Sequence, residues 1–267
     1  PCFNDDDIRS FLEFVPGPWL IKPRSEASAI GIKKLHTPEE VWPELERRGD
    51  DRAMCLIEKM IPGDLFHVDS IVAQDRVAFC QARRYHRPLL DVYHGGGIFM
   101  SRTISMNSSD GKALAAENEK LLLGFGLEHC ASHTEFMKSH EDGRFYFIET
   151  SARVGGANIS EMVEYATGVN LWSEWAKVEI DRDEPYQPPV TRQHHAGVIV
   201  SLARDEWPDS SAFSDAEIVY RLKKKSHIGL VVASPDSKRI DELLNDYHGR
   251  VLRDHHAVLP AASKATT

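Results

Sequence analysis

Residues 132–153 read SHTEFMKSHEDGRFYFIETSAR, and this stretch decides the fold. Two strand-like runs flank Glu141-Asp142-Gly143, a pattern typical of a β-hairpin whose loop holds glycine in the left-handed conformation. A three-residue loop at these positions pairs His140 with Arg144. That pairing then fixes the register of every further pair along the two strands.

The polar face of this hairpin predicts a metal site. On the stated register Glu135 lies directly opposite Glu149, with Cβ atoms ~5 Å apart. Two carboxylates at that distance repel by ~3 kcal/mol at an effective dielectric constant of ~20. Solvent exposure, a shared proton or a cation between them would each relieve the repulsion. Ser151 and Arg153 continue the same face while the strand stays extended, and oxygen ligands of this kind favour Mg²⁺ or Mn²⁺ over zinc.

Because Mg²⁺ is usually held by one or two carboxylates together with substrate phosphates, the hairpin also predicts a nucleotide. Phe136, Tyr146 and Ile148 point away from the carboxylates, and we expect them to be buried against a helix. From spacing alone, a solvated face on which Arg153 pairs with a glutamate is an equally good interpretation. A slip of one residue at the turn would also remove the opposition of the carboxylates.

The whole chain has the composition of an ordinary globular protein. Its 267 residues include 41 acidic and 32 basic side chains, for a net charge of −9, and 42% of them are hydrophobic. This composition excludes wholesale disorder, collagen and a coiled coil, and the net acidity argues against a general nucleic-acid binder. The longest apolar stretches, 121–127 and 197–203, are far shorter than the ~20 residues of a membrane helix.

The four cysteines lie far apart, with no CxxC pair and no histidine spacing suited to zinc. We therefore expect reduced thiols and a cytoplasmic location. The chain begins with Pro1, and residues 8–15 have the pattern of an element already under way, so we expect a fragment of a longer protein. The oligomeric state stays open, a homodimer included.

Several segments, in this order, resemble the ATP-grasp superfamily. They are 18–23 (PWLIKP), a loop of small residues at 25–31, 57–63 (IEKMIPG), and Thr134-Glu135 followed by 147–156 (FIETSARVGG). The resemblance runs from about Pro16 to Leu171. It implies an α+β fold in which two subdomains clasp ATP, followed by a small β-rich C-terminal cap. The expected boundaries are a small subdomain, partial at its N-terminus, at 1–61, a large subdomain with the metal site at 62–180, a linker at 181–190, the cap at 191–260 and a disordered tail at 261–267.

The resemblance also implies which residues bind ATP. Lys22 corresponds to the phosphate-binding lysine, and the loop that contains Ser28 corresponds to the flap over the triphosphate. The backbone at Lys59 and Ile61 would bind the adenine edge. Glu58 would face the base, and Met60 lies within the same hinge.

The ribose position is less regular, because Leu65 stands where related proteins often carry an acid. Asp64 or His67 would substitute for it.

The remaining site residues follow from the same comparison. Glu135 and Glu149 fall on the two metal-ligand positions, and Ser151 stands where family members usually have asparagine. Arg153 corresponds to the arginine that steadies negative charge on the transferring phosphoryl group. A basic cluster flanks the region where related ligases seat their acceptor, and we expect it to hold a substrate carboxylate through Arg84, His86 and Arg87.

We therefore expect an ATP- and Mg²⁺-dependent, ADP-forming ligase that activates a small-molecule carboxylate as an acyl phosphate for attack by an amine. One alternative is a biotin-carboxylase-like enzyme, although residues 154–157 (VGGA) replace the Gln-Val-Glu stretch that such enzymes use for bicarbonate. The other alternative is a module that binds Mg–ATP without turnover, because a complete grasp carries a further lysine and a domain upstream of Pro1.

Overall fold

The computed structural model of the protein describes residues 1–25, 31–86, 97–182 and 184–258. Ser28, Arg87 and the predicted tail at 261–267 lie outside these residues. The described chain divides into two compact units, of which the first contains residues up to Pro62 and the second those from Gly63 onward.

The first unit is a small antiparallel sheet covered by helices. Its strands have the order β2-β1-β3, and its core includes Trp19, Ile21, Val41 and Leu45. The elements are α1 (Asp5–Phe14), β1 (Trp19–Pro23), β2 (Lys33–Leu35), α2 (Pro38–Arg48), a 3₁₀ helix (Gly49–Met54) and β3 (Cys55–Lys59). β1 is in the centre because its Trp19 and Ile21 are buried, while Leu20 and Lys22 alternate onto the other face.

The second unit is built on one eight-stranded antiparallel sheet with the order β10-β11-β9-β6-β5-β4-β7-β8. The strands are β4 (Gly63–Ala73), β5 (Arg76–Tyr85), β6 (Phe99–Thr103), β7 (Cys130–Ser139), β8 (Phe145–Ser151), β9 (His195–Leu202), β10 (Ile218–Arg221) and β11 (His227–Ser234). The helices are α3 (Ser109–Gly124), α4 (Ile159–Thr167), α5 (Leu171–Ile180) and α6 (Ser237–Asp254).

The two faces of this sheet are covered by different helices. On one face, Phe66, Val68 and Phe136 pack with Leu114 of α3, and farther along α6 covers the same side. On the other face, the apolar residues near Ile71 pack against α4 and α5. His67 and Asp69 share this second face because they alternate with Phe66 and Val68 along β4. Polar side chains therefore lie in the same layer as an apolar core.

The turn between β4 and β5 shows how sequence sets the strand pairing. Gln74 and Asp75 both have left-handed backbones, with φ of 52° and 57°, as a two-residue type I′ turn requires. The turn pairs Ala73 with Arg76 and so fixes the register of β4 against β5 near this end.

The expected α+β class is confirmed, and the structure has all four cysteines as free thiols. The residues expected to form a cap, 191–260, contribute β9, β10 and β11 to the same sheet, where β9 pairs with β6. None of the described helices is both long and apolar enough to cross a membrane.

Helix α3 offers a matched test of the core. Leu114 lies on the buried side of α3 and is 0% exposed, whereas Leu123 on the same helix is 36% exposed. We expect Leu114→Ala to lower the free energy of unfolding by about 2–5 kcal/mol, because it leaves a cavity in the core. Leu123→Ala should cost much less, within about 1 kcal/mol. Urea denaturation measures both, and equal costs would contradict the packing described above.

Candidate active site

The hairpin of β7 and β8 places Glu135 directly opposite Glu149, as expected from the sequence. The route to that register differs from the expected one. The Ser139 N–H donates to the carbonyl oxygen of Arg144 at 2.9 Å, so the loop contains four residues rather than three. A β-bulge with Ile148 as its extra residue then restores the opposition of the two glutamates. The two irregularities cancel at Glu135.

The stretch between the loop and the bulge is one residue out of the expected register, and this changes which side chains are buried. Phe136 is buried as expected, but it pairs with Phe147. Tyr146 pairs with Met137 on the Glu135 face, because a one-residue shift moves a side chain to the opposite face. It is 37% exposed and its hydroxyl donates to Asp142 at 2.7 Å, so the expectation that it is buried against a helix is wrong.

The two opposed carboxylates have different environments. Glu135 is only 6% exposed, whereas Glu149 is exposed to solvent. The Tyr85 hydroxyl donates to Oε1 of Glu135 at 2.7 Å, and Nε2 of His133 lies 3.5 Å from the same oxygen. Burial alone would raise the pKa of Glu135, but its contacts with His133 and Tyr85 lower it. Glu135 is thus a buried carboxylate held in its charged form.

Behind Glu135 lies a hydrogen-bonded network around Asp69, which is completely buried. Asp69 accepts hydrogen bonds from Nη1 of Arg83 at 2.9 Å, from Nδ1 of His133 at 3.0 Å and from Nδ1 of His67 at 3.1 Å. Burial opposes its charge, yet the positive charges of Arg83 and His133 hold the pKa of Asp69 well below its usual value.

The two histidines of this network have opposite charge states. Burial lowers the pKa of His67 to about 4, so this ring is neutral at physiological pH. Burial also works against the charge of His133, but the neighbouring carboxylates of Asp69 and Glu135 raise its pKa to about 9. His133 is therefore a cation between two carboxylates.

The positive charge of His133 offsets part of the repulsion between Glu135 and Glu149. The sequence argument left three ways for Glu135 and Glu149 to tolerate each other, and the structure adds a protonated histidine beside Glu135. The sequence analysis missed His133, although it lies two residues before Glu135 and alternation alone would have placed it on the same face. Tyr85 and Asp69 could not be found this way, because they come from β5 and β4.

His67, Asp69 and His133 also offer ligand atoms within 4.8 Å of one another, an arrangement that could hold a metal ion. Two observations disfavour it. Both oxygens of Asp69 already accept hydrogen bonds, and the Arg83 guanidinium lies against one of them. We therefore describe this cluster as a supporting network.

The residues predicted to bind Mg²⁺ fit an oxygen-coordinated ion. His133 pairs with Ser151 across the hairpin, so Ser151 lies on the same face as Glu135 and Glu149. These side chains supply two carboxylates and a hydroxyl, an oxygen-only set of the kind that Mg²⁺ prefers. One carboxylate is buried and the other is exposed, so the set lies at the boundary with solvent.

Arg153 lies beyond the end of the strand. β8 ends at Ser151, whose carbonyl oxygen accepts the N–H of Arg153 at 2.9 Å, so the extended alternation stops there. The Arg153 side chain is exposed and its Nη1 donates to the carbonyl oxygen of Val154 at 2.9 Å. Next in the chain, Gly155 packs on the network, because a Cβ there would lie 2.7 Å from Oδ1 of Asp69 and 2.8 Å from Nδ1 of His133.

In the first unit, Lys22 and Glu58 form an ion pair with 2.8 Å between Nζ and Oε2. They share a face because Leu20 pairs with Glu58, and Lys22 follows two residues later. Lys22 is 7% exposed. The N–H of Met60 donates to the carbonyl oxygen of Pro18 at 2.8 Å, which continues the pairing of β3 with β1 one residue beyond Lys59. Ile61 follows outside the strand.

The two candidates for the ribose position lie on opposite faces of the large sheet. Asp64 forms an ion pair of 2.8 Å with Arg84, on the face that α3 covers. His67 lies on the Glu135 face, but its Nδ1 contacts Asp69 and its Nε2 lies 2.7 Å from the Ser101 hydroxyl. The ribose-binding residue stays a prediction.

Two of the residues predicted to hold a substrate carboxylate, Arg84 and His86, line a cavity of about 420 Å³. Arg84 points to the face opposite Glu135, whereas the adjacent Tyr85 contacts Glu135. His86 is exposed, with its ring 5.9 Å from that of His248. The cavity is lined by Arg84, Tyr85, His86, Ser101, Arg102, Asp241, Leu244 and Asn245.

Comparison with known proteins identifies the fold. No family model matches the chain. An L-arginine-specific L-amino acid ligase of Bacillus subtilis is 23% identical over 184 residues, which are 67% of this chain and 44% of the relative. An N5-carboxyaminoimidazole ribonucleotide synthetase of Thermus thermophilus superposes with a TM-score of 0.70 at 17% identity, over 97% of this chain and 68% of that one. The chain has the ATP-grasp fold.

The ATP-grasp fold alone does not select one reaction. The biotin carboxylase domain of a 2-oxoglutarate carboxylase from Hydrogenobacter thermophilus has a TM-score of 0.68 at 14% identity, over 96% of this chain and 60% of that one. That domain was crystallised with MgADP, ADP and bicarbonate. The protein also spans less than half the length, 44%, of the curated amino acid ligase that it matches.

The charge of His133 predicts how stability depends on pH. Its pKa of about 9 in the folded protein lies above the ordinary value of 6.5, so between these values the folded state binds more protons than the unfolded state. We expect stability, measured by thermal unfolding without metal or nucleotide, to fall as the pH rises from 6.5 through 9. His133→Asn should flatten this decrease. An identical pH profile in the variant would show that His133 is neutral.

Proposed function

We propose that this protein is, or is part of, an ATP- and Mg²⁺-dependent, ADP-forming ligase of the cytoplasm that joins a small-molecule carboxylate to an amine. The observation that carries this proposal is the opposed pair of Glu135 and Glu149, one buried and one exposed, on a strand hairpin of an ATP-grasp fold. The similarity to an L-amino acid ligase supports it.

In the proposed reaction, a carboxylate oxygen of the substrate attacks the γ-phosphorus of ATP, and the bond from that phosphorus to the bridging oxygen of ADP breaks. The product of this step is an acyl phosphate. The nitrogen of the amine then attacks its carbonyl carbon, inorganic phosphate leaves, and the nitrogen loses a proton. Because no protein nucleophile is needed, the side chains serve to position the reactants and neutralise charge.

Each candidate residue has a role in this scheme. Glu135, Glu149 and Ser151 would hold Mg²⁺ or Mn²⁺, which when bound neutralises phosphate charge. Lys22 would bind phosphate oxygens, and its ion pair with Glu58 holds the ammonium in place until then. Arg153, exposed just beyond β8, would bind the phosphoryl oxygens as their charge increases.

For the substrate carboxylate we propose Arg84 and His86, which line the cavity at the end of β5. Arg84 lies on the face of the sheet opposite Glu135, where it is paired with Asp64 at 2.8 Å, so the substrate would have to reach the proposed metal site past this strand end.

A biotin-carboxylase-like reaction is the second candidate, supported by the structural similarity to such a domain. The packing of Gly155 argues against it. A Cβ at this position would lie within 2.8 Å of Asp69 and His133, so a glutamine could replace Gly155 only if this pair moved. Turnover that requires bicarbonate would favour this second candidate.

The metal assignment is tested by Glu149→Gln. We expect this change to weaken binding of Mg²⁺ with a nonhydrolysable ATP analogue by more than the ~10–100-fold that loss of a mere supporting group costs. Isothermal titration calorimetry measures the affinity. The matched control is Glu141→Gln in the loop of the same hairpin, which should bind as the wild type does. Normal binding by Glu149→Gln would refute the metal site.

Arg153 is tested separately through turnover. We expect Arg153→Met to lower kcat by about 10²–10³ while Mg–ATP binding changes little, because the arginine acts on charge that develops during transfer. ADP release over a panel of amino acids and other carboxylic acids measures this, with Arg144→Met in the same hairpin as the control. A wild type that binds Mg–ATP yet releases no ADP with any substrate would favour a non-catalytic module.

A further inference from the structure

The fully buried carboxylate of Asp69 contacts His133, and His133 in turn contacts the proposed metal ligand Glu135. We propose that Asp69, acting through His133, is a positioning residue that sets the orientation of the Glu135 carboxylate. This inference rests on the metal role proposed for Glu135. Asp69 itself would touch neither metal nor substrate.

The contacts of His133 and Tyr85 with Glu135 fall on one oxygen of its carboxylate. The His133 ring lies between two carboxylates, with Nδ1 3.0 Å from Oδ1 of Asp69 and Nε2 3.5 Å from Oε1 of Glu135. Tyr85 donates to the same Oε1 at 2.7 Å. Because both contacts fall on Oε1, rotation of the carboxylate would break them, and Oε2 is the oxygen that they leave for another partner. A metal ligand held in this way loses less entropy on binding.

Asp69 is in turn fixed from three strands. Arg83 of β5 and His133 of β7 donate to it, and His67 of its own strand contacts it as well. All of these except His133 are completely buried, and His133 is 11% exposed in its side chain. The orientation of the Glu135 carboxylate is therefore fixed by buried side chains of three paired strands and not by a flexible surface group.

The hydrogen bond between Asp69 and His133 also supports the loop that carries Arg153. Gly155 packs so closely on the pair of Asp69 and His133 that a Cβ would lie within 2.8 Å of both side chains. Gly155 follows Arg153 by two residues. Asp69 thus contacts one group that supports the proposed metal ligand and another that supports the proposed phosphoryl-binding arginine.

A purely structural network would stabilise the fold without affecting the metal. His133→Asn separates the two roles, because the amide of asparagine can still donate to Asp69 in place of Nδ1 but does not reach Glu135. His133→Gln does the reverse, since its longer side chain places an amide near the position of Nε2. Ser70→Ala is the matched control: Ser70 neighbours Asp69 on β4 and accepts from Asn118 at 2.9 Å on the opposite face.

The experiment titrates Mn²⁺ into the intact chain with a saturating nonhydrolysable ATP analogue and follows free Mn²⁺ by electron paramagnetic resonance. We expect His133→Asn and Asp69→Asn to weaken Mn²⁺ binding by ~10–100-fold, the cost typical of losing a group that orients a ligand. His133→Gln should show a loss as well, because its amide can contact Glu135 but is no longer held by Asp69. Ser70→Ala should lower the melting temperature and leave Mn²⁺ affinity unchanged.

Two results would count against separate claims. If the wild type binds no Mn²⁺, or if Glu149→Gln binds Mn²⁺ as tightly as the wild type, the proposed function itself fails. If the wild type binds Mn²⁺ and Glu149→Gln does not, but folded His133→Asn binds within twofold of the wild type, only the positioning role fails. Should Asp69→Asn not fold, His133→Gln decides the role of Asp69: a loss of Mn²⁺ affinity supports that role, and affinity within twofold of the wild type refutes it.

Discussion

The burial of the Asp69 charge is the constraint on which the large unit depends. A carboxylate without solvent is tolerated only when charged partners and hydrogen bonds compensate for the lost water. Here Arg83 and His133 supply both, each from a different neighbouring strand. A one-residue slip of either strand would move its partner to the opposite face and leave Asp69 uncompensated. The ion pairs thus select one register of β4, β5 and β7 among those that apolar packing alone would allow.

This constraint has a consequence for the carboxylates that face each other on the hairpin. Asp69 and Glu135 carry two negative charges, and Arg83 and His133 carry two positive charges, so the buried part of the network is neutral. Glu149 adds its charge at the solvent boundary, where water screens it. The protein can therefore hold Glu135 ionised and oriented without a bound metal. The opposition of Glu135 and Glu149 therefore supports a cation site through the oxygen ligands that the pair supplies at the solvent boundary, and not through repulsion alone.

Much of the fold could be predicted from local signals. The turn at Gln74-Asp75 and the glycine at Gly143, with φ of 71°, fix their hairpins through backbone conformation, which short sequences specify well. The four-residue loop and the bulge at Ile148 could not be predicted, because they depend on how the strand packs once paired. The opposition of Glu135 and Glu149 was predicted correctly only because these two errors cancel.

The supporting network shows the complementary limit. Alternation along β7 places His133 beside Glu135, but Tyr85 and Asp69 reach this face only through the pairing of strands 50 and 64 residues apart in sequence. The need for glycine at position 155 likewise depends on contacts that are distant in sequence. Its lack of a side chain is required because the hydrogen bond between Asp69 and His133 occupies the space of a Cβ. Amino acid ligases and biotin carboxylases share this fold. A residue bulkier than glycine at position 155 would displace His133 from Asp69, and the buried carboxylate would then need a different partner. The residues of this loop and those of the Asp69 network must therefore change together.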